Sequence, residues 1–342
     1  MAHSTTLETY LDHWAAGLGD RRDTAAAVKA VARACIAISG LLARGALATP
    51  FGAVTGRNSD IDPQRELDVL AHDAIVSALA EAPVALLVSE ELDEALPLRQ
   101  GAALIVAVDP LDGASNADTN AAIGTIFSIL PNTTNPAHLS IGTDQLAAGF
   151  AVYGPQTVLA LTVGAGSRVF TLNRDSGAFE TALGDVIIPP VAAEFAINAS
   201  NHWHWDEHIR TYVDDCLAGH SGPRGADFNM RWTGSFVAEV YRILVRGGVY
   251  LYPGDRRKGY ANGRLRLVYE ANPAAWVIEQ AHGAASTGRA RILEQPAASW
   301  HQRTPVIIGS RQEVAYIERL QHDPHTIPER SPLFGRRGLF RV

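Results

Sequence analysis

Residues 24–44, TAAAVKAVARACIAISGLLAR, carry small and apolar side chains at helical spacing and predict a closely packed helix. A second helix is predicted over 66–82, ELDVLAHDAIVSALAEA, closed by Pro83. Between them the Gly, Pro and Asn of 46–63 read as a long loop. The pattern then changes to short apolar runs bounded by turn residues: VALLVS, ALIVAV, GTIFSIL, AAGFAVYG, QTVLALTV and RVFTLN, between 84 and 173. Each predicts a strand. Pro189-Pro190 suits neither a strand nor a helix interior, so a boundary is expected there, dividing the chain into 1–190 and 191–342. Beyond it, helices are predicted over 208–219, 235–247 and 273–283, and strands over 248–253 and 264–270. A final strand and helix follow in 305–320, with Ser310 as the helix cap. The tail from 322 shows no pattern. Helices and strands mix without strict βαβ alternation, so the expected class is α+β, with layered sheets covered by helices.

Composition narrows the function classes. Of 342 residues, 47% are hydrophobic and 19% charged, which suits a globular core. A net charge of −7 and a pI near 5.9 argue against a binder of nucleic-acid backbone. Cys35 and Cys216 stand far apart and predict no disulfide framework. The N-terminus is polar and acidic, unlike a secretory signal, and no uninterrupted apolar run reaches the roughly 18–20 residues of a membrane span. The expectation is a cytoplasmic protein with no membrane or nucleic-acid partner. The sequons at Asn132 and Asn198 are read as chance matches.

Candidate chemistry gathers at VAVDPLDGASN, residues 106–116. A buried strand ends in two carboxylates, Asp109 and Asp112, and runs into small residues. Pro110 fixes the turn, Leu111 can lend a carbonyl, Gly113 permits close approach, and the N–H groups of Ala114 and Ser115 can receive phosphate oxygens. Ser89-Glu90-Glu91 ends the preceding strand, Glu270 ends the predicted strand at 264–270, and Asp62 and Asp68 flank the long loop and helix start. Converging carboxylates repel one another unless a cation lies between them. An all-oxygen donor set without paired His or Cys suits Mg²⁺ or Mn²⁺ rather than Zn²⁺. His202 and His204 alternate with tryptophans and are read as structural or solvated.

DPLDGASN preceded by SEE, with ELDVLAHD upstream, LRLVYEANP downstream and HQRTPVIIGS at 301–310, resembles the class I fructose-1,6-bisphosphatase family over nearly the whole chain. The resemblance implies an α-β-α-β-α layered fold, commonly a homotetramer, that hydrolyses the 1-phosphate of fructose 1,6-bisphosphate to give fructose 6-phosphate with two or more Mg²⁺ per subunit, in gluconeogenesis or the Calvin cycle. It assigns Glu90, Asp109, the Leu111 carbonyl, Asp112 and Glu270 to metal, and Asp68 and Glu91 to activation of water, with Asp62 in the catalytic loop. Asp112, Gly113, Ala114 and Ser115 would hold the 1-phosphate, with Arg266 nearby. Asn198, Tyr252 and Arg231 would bind the distant phosphate, Arg231 from a neighbouring subunit, and Arg264 stands where the family has a sugar-contacting Lys.

The departures from the family also carry expectations. Arg264 replaces that Lys, and Trp232 and Asn201 replace tyrosines of the distal pocket, so sedoheptulose 1,7-bisphosphate is the alternative substrate. An inositol monophosphatase would have no use for the distal set, and a non-catalytic sugar-phosphate sensor would not need the intact carboxylates. Arg22-Asp23-Thr24-Ala25 and Ala103-Leu104 stand where AMP-inhibited members hold the nucleotide, which predicts weak inhibition by AMP.

Overall fold

The computed structural model describes residues 5–47, 54–57, 63–132 and 142–322. The chain begins with α1 (Leu7–Ala15), α2 (Gly19–Arg44), β1 (Val54–Arg57), β2 (Pro63–Arg65) and α3 (Glu66–Leu79). A run of strands follows: β3 (Val84–Ser89), β4 (Leu96–Pro97), β5 (Leu104–Asp112), β6 (Ile123–Pro131), β7 (Ala147–Tyr153), β8 (Thr157–Thr162), β9 (Ser167–Asn173) and β10 (Ala178–Leu183). Next are β11 (Glu194–Ala196), α4 (Glu207–Leu217), β12 (Asn229–Met230), α5 (Phe236–Arg246), β13 (Val249–Tyr252) and β14 (Leu265–Arg266). The last described elements are α6 (Asn272–Gln280), β15 (Ala284–Ser286), β16 (Arg303–Thr304), β17 (Val306–Gly309) and α7 (Arg311–His322).

Two main sheets and three helical layers alternate, and β1–β2 and β14–β16 form two small two-stranded sheets besides. The larger sheet has the order β10-β9-β8-β7-β6-β5-β3-β4, and the smaller β12-β11-β13-β17-β15. Strand pleating sends alternate side chains to opposite layers. Along β6, Ile123, Phe127 and Ile129 pack with Leu11, Val28, Leu67 and Ile75 of α1 to α3. Ile126 faces the other way, into a core shared with Val240 of α5, Ile278 of α6, and Tyr250 and Ile308 of the smaller sheet. On that sheet's far side Val249, Leu251 and Ile307 meet Ile209 of α4 and Ile317 of α7. The order is therefore α-β-α-β-α, and the middle layer is covered by a sheet on both sides.

The structure departs from the sequence expectations in several places. Helix α1, unassigned from sequence, starts at Thr6, whose hydroxyl accepts from the Thr9 N–H at 3.2 Å. Within the stretch 46–63, predicted as a loop, and just beyond it lies the antiparallel pair β1–β2. The expected strand over 264–270 is extended only at Leu265–Arg266; Leu267–Ala271 winds as a π-helix into α6. Ser310 does not use its hydroxyl to cap α7. It donates to the Pro189 carbonyl at 2.7 Å and accepts from the Gly248 N–H at 3.1 Å. Finally, by length and apolarity 21–44 does satisfy the composition of a membrane-crossing helix. Here its apolar face is core: 56% of the qualifying window is buried, including Val28, Val31, Cys35 and Ile38. Lys29 and Arg33 interrupt the stretch, so no unbroken apolar run marks it in the sequence.

Candidate metal and phosphate site

Strands β3 and β5 are parallel neighbours, with Ser89 opposite Val108. Their carboxyl ends leave the sheet at one edge, and so do Glu90 and Asp109 just beyond that pair. Asp109 and Asp112 are not on a free turn. They belong to the end of β5, where the register against β6 shifts: Asp109 faces Ile126, and Asp112 faces Gly124. Pro110 and Leu111 together stand opposite the single Thr125, which is a bulge, and a bulge admits Pro110 within a strand. The Thr125 hydroxyl donates to the Pro110 carbonyl at 2.8 Å and fixes it. Gly124 is required opposite, because a Cβ there would lie 2.0 Å from the Ala151 carbonyl oxygen and 2.7 Å from Val237. Gly113, at φ 74°, turns the chain out of the strand into the short 3₁₀ turn Ala114–Asn116. The first N–H groups of that turn, on Ala114 and Ser115, have no acceptor within it.

Asp109, Asp112 and Glu270 are 2%, 8% and 3% exposed, and one oxygen from each lies within 4.8 Å of the others. Glu270 reaches them because the π-helix returns it towards β14, where it accepts the Arg266 N–H at 2.5 Å. Such wide turns are frequent at functional sites. Loss of hydration is the largest cause raising the proton affinity of all three, and Glu90 adds repulsion to each. Asp112 is pushed up to about 6, against the lowering effect of the Val237 N–H; Glu270 is pushed up to about 8, and Asp109 lies well above its usual range.

Arg266 pairs with Glu90 at 3.0 Å. One guanidinium does not balance Glu90, Asp109, Asp112 and Glu270 together. Each like-charge pair costs about 4 kcal/mol at ~4 Å in surroundings of intermediate dielectric, and a divalent cation reverses that sign. Buried hard oxygen donors with unbalanced negative charge therefore fit a divalent metal ion.

Asp68 is buried in the first turn of α3, one turn before His72. His72 Nδ1 lies 3.0 Å from the Ser89 hydroxyl, which also accepts the Glu91 N–H at 3.3 Å. Thus α3 is fastened to the end of β3 beside Glu90 and Glu91. Leu111 directs its N–H onto Asp109 Oδ1 at 2.9 Å. Asp62 lies outside the described residues.

Sequence reading missed the support of Asp112. Its Oδ2 accepts from the Val237 N–H at 2.9 Å and the Ser235 hydroxyl at 3.3 Å, both at the start of α5. Asn116 also donates to the Thr233 carbonyl, at 3.1 Å. Thr-Gly-Ser before an amphipathic run signals a helix start, yet nothing in it announces a partner more than a hundred residues away. Further along, Arg242 pairs with Glu239 at 3.0 Å and Glu194 at 2.7 Å, which places this arginine within the fold rather than leaving it a free surface group.

The distal residues form an aromatic and cationic wall. Trp232 stacks on Tyr250 with planes 3° apart, and Tyr252 meets both rings edge-on. Burial raises the Tyr250 phenol most, then Tyr252, and Asp112, Glu239 and Glu270 add to it, so the wall adjoins the carboxylates. Arg264 lies over Tyr260 at 3.9 Å and Tyr252 at 6.0 Å. Asn198 precedes a 3₁₀ turn and accepts from the Ser200 N–H and hydroxyl. Arg231 is not gathered with them; it lies on Glu194 of its own chain at 3.3 Å. His202 sits against Trp203, Trp205 and Asp214, away from the carboxylate group.

Comparison with known proteins gives one consistent answer. Residues 11–183 match the model of the fructose-1-6-bisphosphatase N-terminal domain, and 188–322 that of the C-terminal domain. The chain is 53% identical over 345 residues to the class 1 fructose-1,6-bisphosphatase of Rhizobium meliloti (strain 1021), covering 98% of this chain and 99% of that one. It is 52% identical over 344 residues to the class 1 enzyme of Rhodopseudomonas palustris (strain TIE-1), covering all of both. Among solved structures, the holo form of Leishmania major fructose-1,6-bisphosphatase superposes with a TM-score of 0.87 at 32% identity, over 94% of this chain and 99% of that one. Its T-state gives 0.83 at 31% identity.

Proposed function

The chain belongs to the fructose-1,6-bisphosphatase family, and from that premise we propose that it hydrolyses fructose 1,6-bisphosphate to fructose 6-phosphate and inorganic phosphate. The observation that carries the reading is the buried Asp109, Asp112 and Glu270 group directly preceding the small-residue turn at Ala114 and Ser115.

In this reading Glu90, Asp109, Asp112, Glu270 and the Leu111 carbonyl hold Mg²⁺, two or more ions per subunit, with Mn²⁺ as a substitute. When bound, the metal supplies neutralisation of phosphate charge and acidifies water at neutral pH. Ala114 and Ser115 direct their N–H groups at the 1-phosphate, and Gly113 lets it approach the backbone. Arg266, already paired with Glu90, adds positive charge at the phosphate's edge. Asp68 and Glu91 orient the attacking water and accept its proton. The sugar lies along the aromatic wall, with Arg264 against it and Asn198 and Tyr252 at the far phosphate. Arg231 would serve a neighbouring subunit's site in a homotetramer, and the enzyme would work in the cytoplasm. Pro189-Pro190 marks the seam between the unit that supplies most of the metal carboxylates and the unit that supplies the sugar contacts.

Phosphate release by the purified chain with Mg²⁺ tests this. Turnover of fructose 1,6-bisphosphate that disappears on chelation and returns with Mg²⁺ is expected; hydrolysis of no sugar bisphosphate overturns the reading. Trp232, stacked on Tyr250, leaves no hydroxyl at its position, and with Asn201 and Arg264 this altered pocket makes sedoheptulose 1,7-bisphosphate the alternative substrate to test. Comparable kcat/KM for both would make the enzyme a dual bisphosphatase, serving a carbon-fixation cycle rather than gluconeogenesis alone.

A further inference from the structure

Two arginines share the Tyr260 ring, and they are not equivalent. Arg264 lies 3.9 Å from the ring centroid, and among the described residues no carboxylate pairs with it. Arg257 lies 4.9 Å from the same centroid but is neutralised: its Nε and Nη2 both bond Asp255, whose carboxyl it holds below the usual range. Its Nη2 also donates to Asn201 Oδ1 at 3.0 Å.

A guanidinium can only donate, so it settles which way the Asn201 amide faces. The oxygen must point to Arg257, and the amino group must point away from it. Among the described residues nothing accepts from that amino group. Asn198, three residues earlier, is set the same way by other means. Its Oδ1 is taken by the Ser200 N–H at 3.2 Å and hydroxyl at 2.6 Å, so its amino group too is left to donate. The backbone ties the two together, since the Asn201 N–H donates to the Asn198 carbonyl at 3.0 Å.

We infer that Arg257 is a positioning residue of the distal site: it locks the Asn201 amide so that its N–H groups face the phosphate that Arg264 attracts. This rests on reading Asn198, Tyr252 and Arg264 as the distal phosphate set. It assigns opposite duties to the two guanidiniums on one ring: Arg264 stays unneutralised for the substrate, while Arg257 gives up its charge to Asp255 and keeps one directed N–H. It also accounts for an asparagine serving at position 201, since an amide whose oxygen is occupied is a pure donor.

The test compares fructose 1,6-bisphosphate with fructose 1-phosphate on the full chain with Mg²⁺. Arg257→Lys keeps a cation beside Asp255 but loses the planar fork that holds Asp255 and the Asn201 oxygen in fixed directions. It is expected to raise KM for the bisphosphate about tenfold, the size of one hydrogen bond to a charged group, with kcat little changed. KM for the monophosphate should stay within twofold. Asn201→Ala, which leaves the Arg257–Asp255 pair whole and so guards against a folding failure of the first variant, should give the same rise. The double variant should be no worse than Asn201→Ala alone. Losses that multiply in the double variant, or an equal fall of kcat on both substrates, overturn the positioning role. A wild type that does not distinguish the two substrates overturns the distal-site reading itself, and this inference with it.

Discussion

The carboxylate end and the aromatic end of the site are built by different rules. Asp109 and Asp112 close a strand buried on both faces in the middle of an eight-stranded sheet, and a neighbouring strand and the start of α5 hold them. The distal residues sit on a 3₁₀ turn, on the end of β13 and in the loop from 253 to 264, half-exposed and fastened by rings and guanidiniums. The first region leaves no room for substitution, since each carboxylate answers to the same charge. The second tolerates exchange, because several side chains can supply a donor or a flat face. Geometry constrains the first region more tightly than the second.

The sharpest way to break this contrast is Asp112→Ala. It removes an oxygen from the metal group and the acceptor for Val237, and turnover should fall by at least ~10³-fold together with metal affinity. Isothermal titration with Mn²⁺ beside a phosphate-release assay checks both; near-normal turnover would refute the assignment. Gly124→Ala attacks the backing of the same bulge. A methyl group 2.0 Å from the Ala151 carbonyl forces β6 and β7 apart, and a loss of about 3 kcal/mol or more is expected in a denaturant titration.

Arg231→Ala belongs to the softer end. KM for the bisphosphate should rise about tenfold with kcat little changed, and the exchange should cost almost no stability, because its partner Glu194 keeps Arg242.

The smallest effect concerns His208. Burial, with Arg289 adding to it and Asp206 opposing, lowers its pKa from about 6.5 to about 4. The unfolded chain then binds a proton that the folded one refuses, so stability is lost as pH falls from about 6.5 towards 4. The ring is only partly shielded, so a fall of about 2 °C in Tm between pH 7 and pH 5 is expected, flattened in His208→Gln.

How much of this could be read from the sequence follows the same division. Glu90, Asp109 and Asp112 were legible because apolar runs locate strand ends, and strands that pair in parallel deliver their ends to one edge. Glu270 does lie with Asp109 and Asp112, but on a π-helix and not a strand, since an apolar run does not distinguish a strand from a π-helix entering α6. The layered class followed from the mixture of elements. The bonds of Ser235 and Val237 to Asp112, and of Arg257 to Asn201, were not legible. They join residues whose sequence neighbourhoods carry no sign of each other, and a bond of this kind depends on where two chains of packing happen to meet. For the same reason Arg231 could be named but not seen to rest on Glu194.

The bond from the start of α5 to Asp112 has a consequence for inheritance. The larger sheet holds Asp109 and Asp112, with Glu90 just past the end of β3, whereas Glu270 and Arg266 come from the chain beyond Pro190. A gene cut at Pro190 would encode two polypeptides, with the buried carboxylate group divided between them. Recombination that imported one half from a relative would have to bring a Ser-Phe-Val helix start able to receive the resident aspartate. The two halves are therefore expected to travel through lineages as one unit, changing in step where they touch and drifting freely elsewhere.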